Sequence, residues 1–290
     1  MKTGFAGLGV MGGPMARHLV TAGHTVAGYN RSPDKARAWA EATGGTFAAT
    51  VADAAAGAEL FILCVGNDDD VRQVVTEALP HLAPGAIIVD HTTTSAKVAR
   101  EMAELAIGQG AFFIDAPVSG GQAGAENGQL SVMAGGDAEA LSRIEAALMS
   151  YSKAVKHMGP SGAGQLTKMV NQICIAGVVQ GLAEAVHFAE RAGLDTDAVY
   201  DAVSKGAAQS WQMDNRWKTM AKGEFDFGFA VDWMRKDLGL VLDEARANGS
   251  HLALTALVDQ FYSEVQALGG ARWDTSSLAA RLQDRSAGRP

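Results

Sequence analysis

Thr3-Gly4-Phe5-Ala6-Gly7-Leu8-Gly9-Val10-Met11-Gly12-Gly13-Pro14-Met15 decides how this chain folds. Thr3–Ala6 reads as a short apolar strand, and Met15–Ala22 continues as a helical pattern. Between them stands G-x-G-x-x-G. A bare copy of that pattern is weak, but between a strand and a helix it is a dinucleotide fingerprint. The first glycine permits the tight turn, the second lets backbone approach a pyrophosphate, and the third lets helix pack on strand. The helix N-terminus then faces the anion. Gly7, Leu8, Gly9, Val10, Met11 and Gly12 are the first cofactor-binding candidates.

The alternation that begins there continues outward. Thr25–Tyr29, Leu60–Val65, Ile87–Asp90 and Phe112–Asp115 read as strands, and Asp34–Thr43, Val71–Leu79 and Ala96–Gln109 as helices between them. Such β-α-β alternation predicts a parallel sheet covered by helices on both faces. Leu130–Ala134 and Ala154–His157 read as further strands flanking a helix over Ala138–Met149. The pattern changes near Pro160-Ser161-Gly162. Beyond Gly164 no strand is predicted. A long helix over Gln165–Ala192 is followed by helices at Thr196–Ser204, Phe229–Asn248, Leu252–Leu268 and Ser276–Leu282, and Ser286–Pro290 reads as a frayed tail. The expected fold class is therefore α/β, with a Rossmann-type dinucleotide-binding domain over residues 1–161. An all-α domain over 162–290 opens with the long helix.

Composition narrows the function. Of 290 residues, 48% are apolar and 19% charged, a globular balance, and the formal net charge of −8 argues against a nucleic-acid partner. The two cysteines, Cys64 and Cys174, cannot build a disulfide framework and read as buried thiols in a reducing compartment. The most apolar stretch, Met169–Ala189, is interrupted by Asn171, Gln172, Gln180, Glu184 and His187, so no membrane span is expected. No secretory signal is read at the N-terminus. A soluble cytoplasmic protein is the expectation.

The residues after the second strand bear on cofactor choice. An NAD enzyme usually carries Asp or Glu there for the ribose 2′-hydroxyl. Here Asn30-Arg31-Ser32 stands instead. Arg31 can pair with a 2′-phosphate, and Asn30 and Ser32 can donate hydrogen bonds, which favours NADP with NAD still possible. In an open parallel sheet, ligands lie beyond the carboxyl ends of the strands. Gly66-Asn67, His91-Thr92-Thr93-Thr94 and Pro117-Val118-Ser119-Gly120-Gly121 occupy those ends and should converge on one crevice. Val65, closing its strand, joins the cofactor candidates. Ser119-Gly120-Gly121 can aim backbone N–H groups at one anion, a substrate carboxylate. Asp68-Asp69-Asp70 reads as acidic residues favouring a helix dipole, and no histidine spacing indicates a metal. His91 reads as a hydrogen-bonded structural histidine.

Four motifs together resemble the β-hydroxyacid dehydrogenase family, whose type member is 3-hydroxyisobutyrate dehydrogenase. They are Gly7–Gly12 with Pro14-Met15, Asp115-Ala116-Pro117-Val118-Ser119-Gly120-Gly121, Gly162-Ala163-Gly164-Gln165-Leu166-Thr167-Lys168-Met169-Val170-Asn171, and Lys236-Asp237-Leu238. They span nearly the whole chain. The resemblance implies that Lys168 is the catalytic lysine, set beside an interdomain crevice near the start of the long helix. Burial there would lower its pKa and suit it to general acid–base work. Asn171, three residues on, shares that helix face and would hold substrate. The resemblance also places Thr93 near the nicotinamide ribose, Lys236 near the cofactor, and Trp211, in a loop with Ser210 and Gln212, near the substrate. It leaves Asp237 an orienting role. It further implies a homodimer or homotetramer through the α-domain, and Gly177 and Gly181 read as sites of close helix packing.

The activity expected is NADP-dependent interconversion of a small β- or γ-hydroxy acid and its semialdehyde. Reduction of tartronate semialdehyde, succinic semialdehyde or glyoxylate is the near alternative. A catalytically silent dinucleotide-binding module is the alternative from another class. The presence of Lys168 and Asn171 disfavours it.

Overall fold

The structure is a computed structural model that describes residues 1–287, with side chains described through Gln283. Its contacts divide the chain into two units, Met1–Lys168 and Met169–Pro290.

The first unit alternates strands and helices. In chain order they are β1 (Lys2–Ala6), α1 (Gly12–Thr21), β2 (Thr25–Tyr29), α2 (Pro33–Thr43), β3 (Thr46–Phe47), α3 (Val51–Ala55), β4 (Leu60–Leu63), α4 (Asp68–Ala78), β5 (Ile87–Asp90), α5 (Ala96–Gly108), β6 (Phe112–Asp115), β7 (Val118–Ser119), α6 (Gly121–Glu126), β8 (Leu130–Gly135), α7 (Ala138–Leu148) and β9 (Ser152–Gly159). Strands β3-β2-β1-β4-β5-β6 form a parallel array. Beyond it β8 pairs antiparallel with β6 and β7 and parallel with β9. The register fixes where function can sit. Ala6 aligns with Tyr29 and Leu63, Leu63 with Asp90, and Asp90 with Asp115. Five strands thus end level, and the loops that follow leave from one edge of the sheet. The chain runs from β1 outward to β3 and then crosses to β4 on the other side, so the topological switch lies at β1 and β4.

Both sheet faces are buried. Phe5, Leu19, Ile62 and Ile114 pack on one side, and Phe61, Leu63, Ile88 and Phe113 on the other. That is why these strands read as continuous apolar runs. The strand expected over Leu60–Val65 stops at Leu63, because the Val65 amide turns away to the Thr92 hydroxyl at 3.0 Å.

The long helix α8 (Ala163–Arg191) begins in the first unit and continues into the second, which adds α9 (Thr196–Val203), α10 (Trp211–Lys222), α11 (Val231–Asn248), α12 (Ala253–Ala267) and α13 (Leu278–Ala287). The second unit's core gathers Val179, Val186, Trp217, Met234, Leu238, Val258 and Tyr262. Helix α10 corrects the loop expected at Ser210–Gln212. Ser210 accepts the Met213 amide at 3.0 Å and caps a helix whose first residue is Trp211. Helix α13 includes Ser286 and Ala287, which were expected to fray, while 288–290 lie outside the described residues. Cys64 is half-buried, but Cys174 is exposed, against the expectation of two buried thiols. A Cβ at Gly177 would touch Leu254, whereas one at Gly181 would meet nothing within 4 Å, so only the first of these glycines marks a close approach. Among the described residues α8 is long and apolar enough to cross a membrane, a test that core helices also pass. Its Gln165, Gln172 and Gln180 are buried and hydrogen-bonded inside protein.

Candidate active site

The loop after β1 is built by steric exclusion. Gly7 has φ +96°, and a Cβ there would lie 2.2 Å from the Cys64 carbonyl oxygen. A Cβ on Gly12 would lie 1.9 Å from the Gly7 carbonyl oxygen. Only glycine permits this crossing of strand, loop and helix. At Gly9 a side chain would meet no protein atom within 4 Å, so that face of the loop is open to a ligand. No side chain caps the N-terminus of α1, and Val10 is exposed at the turn. A helix start without a side-chain cap and an open glycine face are what a pyrophosphate requires, so these residues fit a dinucleotide.

Asn30 braces that loop. Its Oδ1 accepts the Leu8 amide at 3.0 Å, and its Nδ2 donates to the Ser32 carbonyl at 3.2 Å. Ser32 holds the N-cap position of α2, where its hydroxyl makes no capping bond. Arg31 projects into solvent, with Nη1 3.7 Å from Asp70 Oδ1.

A second set of bonds ties the strand ends to the start of α8. The buried Asp115 carboxylate accepts the Gly162 amide at 2.7 Å and the Gln165 amide at 2.9 Å. Burial pushes its pKa up to about 6, against the pull of those amides. A Cβ at Gly164 would lie 2.4 Å from both the Asp115 and Met133 carbonyl oxygens, so glycine lets the helix start sit directly on the sheet. Gln165 is fully buried. Its Oε1 accepts the Thr94 amide at 3.0 Å and its Nε2 donates to the Thr92 carbonyl at 2.7 Å. One side chain therefore clamps the backbone on either side of Thr93. Sequence reading passed over Gln165 and Asp115 as site residues. Both stand inside the motifs quoted above, Asp115 at the head of the second and Gln165 within the third, and that placement is their signal.

Lys168 lies one helical turn beyond Gln165. Its side chain is buried, and Nζ donates to the Val118 carbonyl at 3.0 Å. The amine thus stands at the strand that leads into Ser119-Gly120-Gly121. Ser119 pairs with Ser131 across β7 and β8, and Gly120 and Gly121 take φ of +133° and +61°. Beneath the same edge, His91 is buried, and Nδ1 donates to the Ala116 carbonyl at 2.6 Å. Its Nε2 accepts the Tyr151 hydroxyl at 2.9 Å. Burial outweighs the carbonyl bond and drops its pKa to about 4, so it is a neutral structural histidine.

In the second unit, Asn171 donates to Gln172 Oε1 at 2.8 Å, and Gln172 donates to the buried Asp237 at 2.7 Å. Lys236 pairs with the same carboxylate at 3.2 Å and lies over the Trp233 ring. Asp237 therefore orients both Gln172 and Lys236. Trp211 is exposed, with the Arg216 guanidinium 5.0 Å from its ring centre.

A doubly wound sheet with a glycine-crossed loop at its switch point defines the first unit as a nicotinamide-dinucleotide-binding domain. Comparison with known proteins agrees. Residues 2–159 match the NAD-binding domain of 6-phosphogluconate dehydrogenase. Residues 162–282 match a second family, described as NAD-binding of NADP-dependent 3-hydroxyisobutyrate dehydrogenase. An oxidoreductase of Shewanella frigidimarina is 62% identical over 285 residues, covering 97% of this chain and 98% of that protein. A probable 3-hydroxyisobutyrate dehydrogenase-like protein of Arabidopsis thaliana is 39% identical, covering 97% and 85%. The solved Mycobacterium tuberculosis 3-hydroxyisobutyrate dehydrogenase with L-serine superposes with a TM-score of 0.89 at 33% identity, covering 97% and 98%. The chain belongs to the β-hydroxyacid dehydrogenase family and is a 3-hydroxyisobutyrate dehydrogenase-like oxidoreductase.

Proposed function

We propose that the protein interconverts a small β- or γ-hydroxy acid and its semialdehyde with NADP, Lys168 acting as general acid and base. The observation that carries this reading is the buried Lys168 amine at the Val118 carbonyl, next to Ser119-Gly120-Gly121. A nicotinamide held at the strand ends would supply the hydride in reduction and take it in oxidation. Reduction builds negative charge on the former carbonyl oxygen, and Lys168 gives that oxygen a proton from Nζ; in oxidation the neutral amine takes the hydroxyl proton. The Val118 carbonyl accepts one N–H of the amine and so orients it. Ser119, Gly120 and Gly121 hold the substrate carboxylate through a hydroxyl and backbone N–H groups.

Gly7–Gly12, braced by Asn30, would hold the pyrophosphate and adenosine end, and Arg31 and Ser32 the 2′-phosphate. Val65, whose amide the Thr92 hydroxyl holds, and Thr93, whose two neighbours Gln165 clamps, would line the nicotinamide end. The family resemblance adds Asn171 and Trp211 for substrate and Lys236 for cofactor. L-serine, bound by the mycobacterial relative, is itself a β-hydroxy acid. The second unit exposes Phe188, Leu254 and Leu257, which supports a homodimer or homotetramer through its helices. The setting is soluble and cytoplasmic.

The test is NADPH oxidation with a panel of small semialdehydes, each beside its methyl ester. The acid forms should turn over and the esters should lose most of their kcat/KM. Equal turnover of acid and ester removes the carboxylate nest, and no turnover across the panel removes the substrate class.

A further inference from the structure

Three aspartates open α4, and each has its own partner. Asp68 accepts from the Ser95 amide and hydroxyl. Asp69 pairs with Arg72 at 2.9 Å. Asp70 turns back toward the strand ends. Its Oδ2 accepts the Gly66 amide at 3.1 Å, and its own amide donates to the Asn67 side chain at 2.9 Å. The Gly66 amide therefore holds this carboxylate, and the Asn67 cap holds the backbone that carries it. Its other oxygen, Oδ1, faces Arg31 Nη1 at 3.7 Å. Arg31 follows β2 and Asp70 follows β4, and β1 lies between those strands. The ion pair spans the carboxyl end of β1, where the Gly7–Gly12 loop begins.

We infer that Asp70 is a specificity-determining residue that holds Arg31 over the cofactor crevice and competes with the 2′-phosphate of NADP for its guanidinium. This rests on the reading of Arg31 given above. The Arg31 side chain is 89% exposed and that of Asp70 27%, so the acid is the anchored partner and the arginine the solvent-exposed one. The Asp70 carboxylate is the only charged partner of Arg31 among the described residues. A guanidinium drawn toward one anion by charge must leave it to pair with another. NADP binding therefore works against the Asp70 pair. NAD, without the 2′-phosphate, leaves the pair in place.

Asp70→Asn keeps an acceptor for the Gly66 amide and removes the charge. Binding of NADPH and NADH is measured by fluorescence titration at low and high salt. An exposed pair of this kind is worth a few-fold in binding, so NADPH should bind about two- to fivefold tighter to the variant at low salt. The gain should shrink at high salt, and NADH should move by less than about twofold. In an Arg31→Ala background the substitution should no longer change the NADPH to NADH ratio. Unchanged or weaker NADPH binding overturns the inference. So does an equal shift of both cofactors, which marks a structural effect on α4, or a full gain that survives without Arg31. Arg31→Ala alone separates the two levels. If it leaves the ratio unchanged, the reading of Arg31 itself fails. If the ratio falls while Asp70→Asn is silent, only the role of Asp70 fails.

Discussion

Lys168 Nζ donates to the main-chain carbonyl of Val118 across 3.0 Å, joining the start of the long helix to the strand that delivers Ser119-Gly120-Gly121. A buried amine needs such a partner, because an unpaired polar group in this position costs free energy. The bond also sets which way the remaining N–H groups of the amine can point.

Lys168→Ala removes the proposed proton donor, and turnover should fall on the order of 10²-fold or more. NADPH binding by fluorescence titration should change little, since the glycine loop lies at β1. Near wild-type turnover in Lys168→Ala would assign the proton to another group.

Gln165 makes two long-range bonds, to the Thr94 amide and the Thr92 carbonyl. Gln165→Leu keeps the volume and strands the Thr94 amide and the Thr92 carbonyl. Each buried group left unpaired costs about 1–3 kcal/mol, so urea unfolding should show a loss of at least about 2 kcal/mol. A loss below about 0.5 kcal/mol would mean that water satisfies both groups. Thr93 is held by the same clamp, so nicotinamide-dependent turnover should fall in parallel.

His91 and Asp115 tilt stability in opposite directions with pH. The folded-state pKa of His91 is lowered from 6.5 to about 4. Its contribution is full above pH 6.5 and is lost as pH falls toward 4, about 3 kcal/mol in all. The folded-state pKa of Asp115 is raised from 3.8 to about 6. Its contribution is full below pH 3.8 and is lost as pH rises to 6, again about 3 kcal/mol. Between pH 4 and 6 the two slopes offset each other. Urea midpoints should therefore show wild type minus His91→Gln rising with pH across this window, and wild type minus Asp115→Asn falling. Differences that stay constant with pH would show that neither group titrates differently in the folded state.

The sequence is most legible where physics is local. Gly7 and Gly12 could be placed because the steric demand arises within one strand-loop-helix turn. The buried strands could be placed because both of their faces are apolar. Short elements escaped notice. Thr46–Phe47 and Val118–Ser119 are too brief for periodicity, and Val51–Ala55 is announced only by the Thr50–Asp53 capping box. Helix α10 was hidden because Trp211 reads as a core or ligand residue rather than as a first helical turn. Helix α4 starts at Asp68, earlier than the apolar pattern from Val71 indicates, because Asn67 caps it. Gln165 could not be assigned because its partners lie 71 and 73 residues away. Contacts of that range leave no periodic trace.

Asn30 separates positioning from charge at the cofactor loop. Its amide does two jobs: Oδ1 holds the Leu8 N–H and Nδ2 holds the Ser32 carbonyl. Asn30→Leu removes both bonds and adds no charge. The Gly7–Gly12 loop should loosen, with a loss of about 1–2 kcal/mol for partly buried groups left unpaired. NADPH and NADH should then weaken alike, because both need the loop and neither loses a specific charge contact. Asn30→Asp keeps the acceptor for Leu8 and brings a carboxylate to the end of β2, where NAD-preferring enzymes carry one. That charge repels a 2′-phosphate and can accept from a 2′-hydroxyl. NADPH should weaken at least tenfold, in line with the loss of a charge-assisted contact worth about 1.5–3 kcal/mol, while NADH holds or improves. Arg31→Asp should move the two cofactors in the same opposed directions. The check is the ratio of dissociation constants for NADPH and NADH in the three variants. A ratio that stays at its wild-type value in Asn30→Asp and Arg31→Asp would place the 2′-phosphate away from this strand end and remove the preference for NADP.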